Sequence, residues 1–242
     1  MMRAPVADMA SAVARLGVAL DAGQQRTFER YAALLTEWNE RVNLTAIVEP
    51  SEIAMKHFLD SLTGLAARRW RTGERLVDVG SGAGFPGMAL AIALPELRVT
   101  LVESVGKKVR FLETAAVELG LTCVRVVNAR AEELAHDPAH RGQYEVATLR
   151  ALRGLATNLE LLLAFLRLGG DALVYKGRVD EELGAARRAA EALGAQIGEI
   201  VPTSGLGVGQ LLPGRWLVLA RKVRPTPARY PRRSADMRRR PW

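Results

Sequence analysis

Cysteine is almost absent. Cys123 is the only one in 242 residues, which excludes an internal disulfide and suits a reducing compartment. Three histidines beside that single thiol make no metal-ligand cluster, so no metal site is expected. Long hydrophobic runs are missing as well. No stretch reaches the roughly 18 consecutive apolar residues that a membrane-spanning helix needs. Asp8 and Arg15 interrupt the apolar start of the chain, so a signal-peptide core is not expected either. Internal repeats are not evident, and low-complexity sequence is confined to the last residues. These absences point to a cytoplasmic protein with no membrane partner.

What is present is apolar bulk and an uneven charge. Hydrophobic residues make up 49% of the chain, enough to bury a substantial core. The net charge is +8, and its placement says more than its size. Residues 221–242 (RKVRPTPARYPRRSADMRRRPW) hold nine of the 34 Lys and Arg and one of the 26 acids, so residues 1–220 are balanced. A short, basic, proline-containing tail is not expected to fold on its own. A block of arginines suits phosphates, which makes Arg229, Arg232 and Arg233 candidate nucleic-acid contacts. A solvated solubility tail is the alternative.

The chain divides by rhythm into a helical cap over 1–72, a main domain over 73–222 and the basic tail over 223–242. In the cap, Asp21 is placed to start a helix bearing Phe28, Tyr31, Leu35, Trp38 and Val42 at helical spacing. Asn43-Leu44-Thr45 breaks that pattern, and Ser51 is placed to cap a second helix carrying Ile53, Phe58, Leu62 and Leu65. From residue 75 short apolar strands alternate with helices. Strands are expected at 76–79, 98–102, 123–127, 144–149, 171–175, 196–201 and 215–221. Helices are expected at 86–94, 105–119, 130–136, 152–167 and 179–193, and a glycine-rich flexible loop between the last two strands. Such alternation predicts a doubly wound α/β domain with a mostly parallel sheet.

The first of these strands runs into LVDVGSGAGFPG, residues 76–87. Glycine at 80, 82, 84 and 87 lets backbone turn tightly and approach a ligand that a Cβ would hold off. Pro86 suits the first turn of the following helix. Glu103, 21 residues after Gly82 at the end of the second strand, falls beside the same crevice within reach of a ribose diol. Gly82, Gly84 and Gly87 match the dinucleotide fingerprint G-x-G-x-x-G, so an oxidoreductase is one reading. Asp78 argues for the other. A carboxylate just before the loop is awkward beside a pyrophosphate and useful beside the sulfonium and amino groups of S-adenosylmethionine.

A wider set of segments then carries a family resemblance. NLTAI (43–47), HFLDSL (57–62), DVGSGAGFPG (78–87), LVES, KK and FL within 101–112, RAE (130–132), LRA (149–151) and the YPR-containing tail occur in that order. Together they resemble the glucose-inhibited division protein B family over about residue 25 to the C-terminus. Leu149 is one departure, where many relatives have Ser. The resemblance implies a class I, Rossmann-like methyltransferase fold of about seven strands with an N-terminal helical cap. It implies methylation of guanosine N7 in the 530 loop of small-subunit (16S) ribosomal RNA, presented free or in an assembly particle, by a chain with no obligate protein partner.

Residue by residue, the resemblance places Asp78, Gly80, Gly82, Phe85 and Ser104 against S-adenosylmethionine, with Glu103 on the ribose. Ala131 and Glu132 would hold the adenine edge, and Arg150 the methionine end near the target. It also gives His57 and Asp60 a role toward the RNA. Glu132 as a helix-start carboxylate, Arg150 as a structural ion pair and Phe85 as core packing are the alternatives. Guanine N7 offers a lone pair and no proton, so positioning rather than a general base should carry the reaction. Arg150 and Lys176 are the candidate catalytic cations, with Arg178 facing RNA, all at or just beyond expected strand ends. TLRALR after the fourth strand lacks the Asn-Pro-Pro-Tyr type of segment suited to exocyclic amines, and Cys123, in an expected strand, reads as packing rather than as a nucleophile. A non-catalytic RNA-binding module is the remaining reading. Deletion of residues 224–242 is expected to weaken RNA binding and leave cofactor binding intact.

Overall fold

The computed structural model describes residues 3–150 and 154–242. The expected helix over 152–167 begins in the stretch outside the described residues, as does the last residue of the LRA segment.

The cap opens with α1 (Arg3–Ala14) and α2 (Ala22–Asn39). Asp21 is the N-cap of α2 as its sequence suggests. Its carboxylate accepts from Gln24 N at 2.8 Å, and the Gln24 side chain accepts from Asp21 N at 2.9 Å, a reciprocal box. Gln24 also donates to Ile92 O and Ala93 O, which ties the cap to the sheet. α2 stops at Asn39, so Val42 lies beyond it and is half-buried. The next helix is compound: α3 (Pro50–Glu52), a π-helical segment Ile53–Leu59, α4 (Asp60–Leu62) and α5 (Gly64–Ala67). Ser51 is not its cap. Glu49 takes that position and Pro50 is the first helical residue, where a missing N–H costs nothing.

The main domain runs β1 (Arg75–Val79), α6 (Gly87–Ala93), β2 (Arg98–Glu103), α7 (Gly106–Glu118), β3 (Val124–Asn128), α8 (Ala131–Leu134), β4 (Tyr144–Arg150), α9 (Leu155–Leu163), β5 (Leu166–Lys176), α10 (Leu183–Ala192), β6 (Ala195–Pro202) and β7 (Trp216–Lys222). The strand order is β3-β2-β1-β4-β5-β7-β6, parallel except for β7, which pairs antiparallel with both neighbours. The order reverses between β1 and β4, so the ligand crevice lies beyond their C-terminal ends.

Three expectations are corrected. The fifth strand starts at Leu166, so α9 ends at Leu163 and does not reach 167. Cys123 precedes β3 and is half-buried, with burial pushing its thiol pKa up. The loop between β6 and β7 is packed: Val208 and Leu212 are buried, and Thr203 Oγ1 donates to Leu212 O at 2.8 Å.

One apolar cluster joins cap residues Phe28, Tyr31 and Phe58 to sheet residues Leu76, Val99 and Leu101. Each such side chain contributes about 1.5–3 kcal/mol by burial. On the other face α9, α10 and the sheet form a second cluster that includes Tyr230 and Met237 of the tail. The tail therefore docks. It ends in α11 (Ser234–Arg239), and Tyr230, Pro231 and Met237 are buried. Composition made this segment unable to fold alone, and it folds against the domain instead.

Candidate active site

β1 carries Asp78 and Val79 into the glycine loop, whose Gly80, Gly82 and Gly84 have φ of 68°, 60° and 95°. The glycines serve two purposes. A Cβ at Gly84 would collide with Tyr31 Oη, and one at Gly87 would lie 2.8 Å from Asp78 Oδ2, so both are needed for packing. At Gly82 the only described protein atom within 4 Å of an added Cβ is Gly80 O, at 3.9 Å. Its bare face is therefore open on the ligand side. Tyr31 Oη donates to Ala83 O, so a buried tyrosine of the cap pins the loop.

Two carboxylates support this loop. Asp78 is fully buried, and its Oδ2 accepts from Gly87 N at 3.0 Å. Its Oδ1 is buried without a hydrogen-bond partner among the described residues. Burial pushes its pKa up to about 7, against the lowering effects of the Gly87 bond and the Arg150 charge. Glu103 accepts from Gly82 N at 3.0 Å and Val105 N at 2.8 Å, one bond per oxygen. Each oxygen retains a lone pair for a hydroxyl. Glu103→Gln is expected to weaken S-adenosylmethionine binding by about 10–30-fold, the lower end, about 1.5–2 kcal/mol, of a hydrogen bond to a charged group, since glutamine keeps one acceptor oxygen. Isothermal titration checks this, and an unchanged dissociation constant would leave Glu103 only its role in bracing the loop.

A cavity of about 270 Å³ opens here, lined by Gly80, Gly82, Glu103, Ser104, Ala131 and Glu132 among others. Six sequence-selected residues thus share one wall. Leu161 of α9 and Ser234 of the tail complete the lining, and neither was foreseen. Ser234 Oγ donates to Glu132 Oε1. One residue of the tail therefore forms part of this wall, where the sequence placed the tail on the RNA side alone.

Arg150, at the end of β4, organises a second cluster. Its guanidinium donates to Asp60 Oδ2 at 2.9 Å, Lys56 O at 3.1 Å and His57 Nδ1 at 3.1 Å. It also lies 5.1 Å from the Phe85 ring centroid. An arginine only donates, so His57 Nδ1 must be the acceptor and its Nε2–H donates to Thr45 Oγ1 at 2.8 Å. Burial, with the Arg150 and Arg215 charges, lowers the His57 pKa to about 3, so the ring is neutral at physiological pH. Its ring stacks on Phe85 at 4.6 Å and 8°. His57 and Asp60, which the resemblance turns toward the RNA, are both buried and both bond Arg150 at the strand end. Phe85 stacks on Tyr31 and His57 beside Arg150 and lies outside the lining of the 270 Å³ cavity. Leu149 is fully buried in the cluster on the far face.

The other cations separate. Lys176, at the end of β5, pairs with Glu182 at 2.8 Å. Arg178, Arg229 and Arg233 are exposed. Arg232 pairs at 2.6 Å with Glu160, whose side chain is fully buried, so it has a structural role that the sequence did not suggest. Arg215, 3.9 Å from Asp60 at this edge, was not anticipated. Among the described residues no group of three or more His, Cys, Asp or Glu could hold a metal ion.

The family model described as rRNA small subunit methyltransferase G matches residues 24–205. A ribosomal RNA small subunit methyltransferase G from Roseiflexus castenholzii is 50% identical over 218 residues, covering 89% of this chain and 91% of that protein. One from Desulfitobacterium hafniense is 42% identical over 94% of this chain and 93% of its own length. Among solved structures, a chain from the complex between the Haloferax volcanii Trm112 methyltransferase activator and a methyltransferase superposes with a TM-score of 0.57 at 13% identity, covering 78% of this chain and 98% of that chain.

Proposed function

The chain belongs to the rRNA small subunit methyltransferase G family, and from that membership we propose that it methylates N7 of a guanosine in the 530 loop of small-subunit ribosomal RNA, using S-adenosylmethionine. The observation that carries the cofactor is Asp78. A buried carboxylate oxygen without a partner among the described residues, under a glycine loop with an open face at Gly82, suits an ammonium group and repels a pyrophosphate. Glu103 is placed for the ribose, and Ala131 and Glu132 for the adenine edge.

S-adenosylmethionine supplies a methyl group activated by its sulfonium. The residues of this chain bind, orient and exclude water. N7 of guanine attacks through an in-plane lone pair and releases no proton, so no general base is required. A neutral His57, already engaged with Arg150 and Thr45, is consistent with that. Arg150, Arg215, Lys176 and Arg178 give the crevice the positive field that an RNA backbone favours. The proposal includes action in the cytoplasm, as a monomer, on the RNA or on a small-subunit assembly particle. No helix among the described residues is long and apolar enough to cross a membrane.

The test is incubation with labelled S-adenosylmethionine and undermethylated small-subunit RNA, followed by mapping of the modified base. Label at N7 of one guanosine in the 530 loop is the expected result, with no binding of NADH in a parallel titration. Label elsewhere, or NADH binding in place of S-adenosylmethionine, would overturn the reading.

A further inference from the structure

The tail runs from β7 across the second face of the domain to the adenosine cavity. Lys222 Nζ starts it by donating to Leu163 O at 2.7 Å and Leu193 O at 3.3 Å, at the ends of α9 and α10. Arg141 then holds it through Thr226 O at 2.9 Å and Tyr230 O at 2.8 Å, and His136 Nε2 bonds Pro231 O at 2.9 Å. Glu160, buried in α9, receives Arg232 N at 2.8 Å, the Arg232 guanidinium at 2.6 Å and Trp242 Nε1 at 2.6 Å. These anchors fix the next segment, and Ser234 reaches Glu132 in the cavity wall.

The outward side of the same strap is arginine. Arg229, Arg233, Arg238, Arg239 and Arg240 are exposed, and Asp236 is the only acid between residues 223 and 242. Like charges packed this closely repel, which opposes docking. Phosphates would remove that repulsion. A ligand that favours the docked strap must, by linkage, tighten whatever the docked strap helps to hold.

We propose that the strap is a wall of the adenosine subsite, and that the Ser234–Glu132 bond couples RNA held on the strap arginines to retention of the cofactor. The inference rests on the methyltransferase reading above. Ser234 is a positioning residue: it occupies one oxygen of Glu132 and so turns the other toward the adenine edge. RNA arriving on the strap then closes the cavity behind the cofactor, and the methylated RNA must leave before the strap relaxes and S-adenosylhomocysteine escapes.

The experiment is titration of S-adenosylhomocysteine into the full chain, with and without the small-subunit RNA substrate. RNA is expected to tighten wild-type binding several-fold. Ser234→Ala should lower affinity about 3–10-fold without RNA, the range of one typical net hydrogen bond, since Ser234 acts through Glu132. Ser234→Thr should restore it, and Ser234→Ala should add nothing in a Glu132→Ala background, which lacks the acceptor, an outcome that general destabilisation of the tail would not produce. The triple variant Arg238→Ala, Arg239→Ala, Arg240→Ala should bind S-adenosylhomocysteine as the wild type does without RNA and lose the tightening with RNA. Wild-type affinity in Ser234→Ala overturns the wall. An RNA-independent affinity in a wild type that methylates RNA overturns the coupling. A wild type that does not methylate RNA sinks the functional reading instead, and the Ser234 comparison without RNA still decides the wall.

Discussion

Replacing Arg150 with alanine is expected to lower the single-turnover rate of methyl transfer by about 10–1000-fold at saturating S-adenosylmethionine, equivalent to about 1.4–4 kcal/mol of transition-state stabilisation. The reason lies in what Arg150 joins. One guanidinium binds Asp60, His57 and the Lys56 carbonyl of the cap, covers Phe85 and ends β4 at the crevice. Its removal frees the π-helical segment from the strand end and takes a cation out of the field around Asp78. It also leaves Asp60 buried with Arg215 as its remaining cation, 3.9 Å away. Breaking a buried pair in this way costs about 3–5 kcal/mol of stability, so melting must be measured beside the rate. Asp60→Asn separates the two effects, since it breaks the same ion pair and keeps the arginine at the strand end. Arg150→Lys should recover some stability and little rate, because an ammonium cannot engage three acceptors in the plane of a fork. A folded Arg150→Ala protein with wild-type single-turnover kinetics would move the function of this edge to Arg215, Lys176 and Arg178.

Arg150 also shows where reading the sequence stops. Its position at a strand end was legible because β-branched runs and glycine punctuation mark the strands. The same local signals gave Asp21 as a cap and Glu103 beside the loop. Its partners were not legible. Thr45, His57 and Arg150 are 12 and 93 residues apart in sequence and meet only through tertiary packing. A π-helical segment has the same composition as an α-helix, so the wider turn over Ile53–Leu59 left no trace in the spacing.

The tail was misread for a related reason. Its apolar anchors Tyr230, Pro231, Met237 and Trp242 are spaced among arginines, and composition averages them away. A signal did exist on the other side. Glu160 stands alone in LELLLAFL, a run too apolar for a solvated carboxylate, and a buried acid requires a cation from elsewhere in the chain. Arg232 is that cation, 72 residues later. The basic excess is thus divided between structural groups, Arg232 and the buried Lys222 among them, and an exposed set that includes Arg229, Arg233 and Arg238–Arg240.

Asp78→Asn should raise the dissociation constant for S-adenosylmethionine by about two orders of magnitude, close to the ~3 kcal/mol upper value of a hydrogen bond to a charged group. The same substitution should flatten the dependence of stability on pH. Burial carries the Asp78 carboxyl from 3.8 to about 7 in the folded protein. A carboxyl whose folded pKa lies above its unfolded value binds a proton more tightly when folded, so stability is greatest below the unfolded pKa. It declines as pH rises from about 4 to about 7, and above 7 the loss is complete. A shift of this size is worth on the order of 4 kcal/mol. Asparagine has no proton to hold, so this contribution to the decline should be missing from Asp78→Asn when melting at pH 4.5 and pH 8 is compared with wild type. Cofactor binding runs the other way. The ammonium group requires the ionised carboxylate, so wild-type affinity should fall as pH drops below 7, by up to about tenfold per unit, while the variant's weak affinity stays flat. The two slopes share one group and have opposite signs, and general damage to the loop does not reproduce that pattern. A wild-type affinity independent of pH between 5.5 and 7.5 would detach Asp78 from the ligand and leave its buried oxygen unexplained.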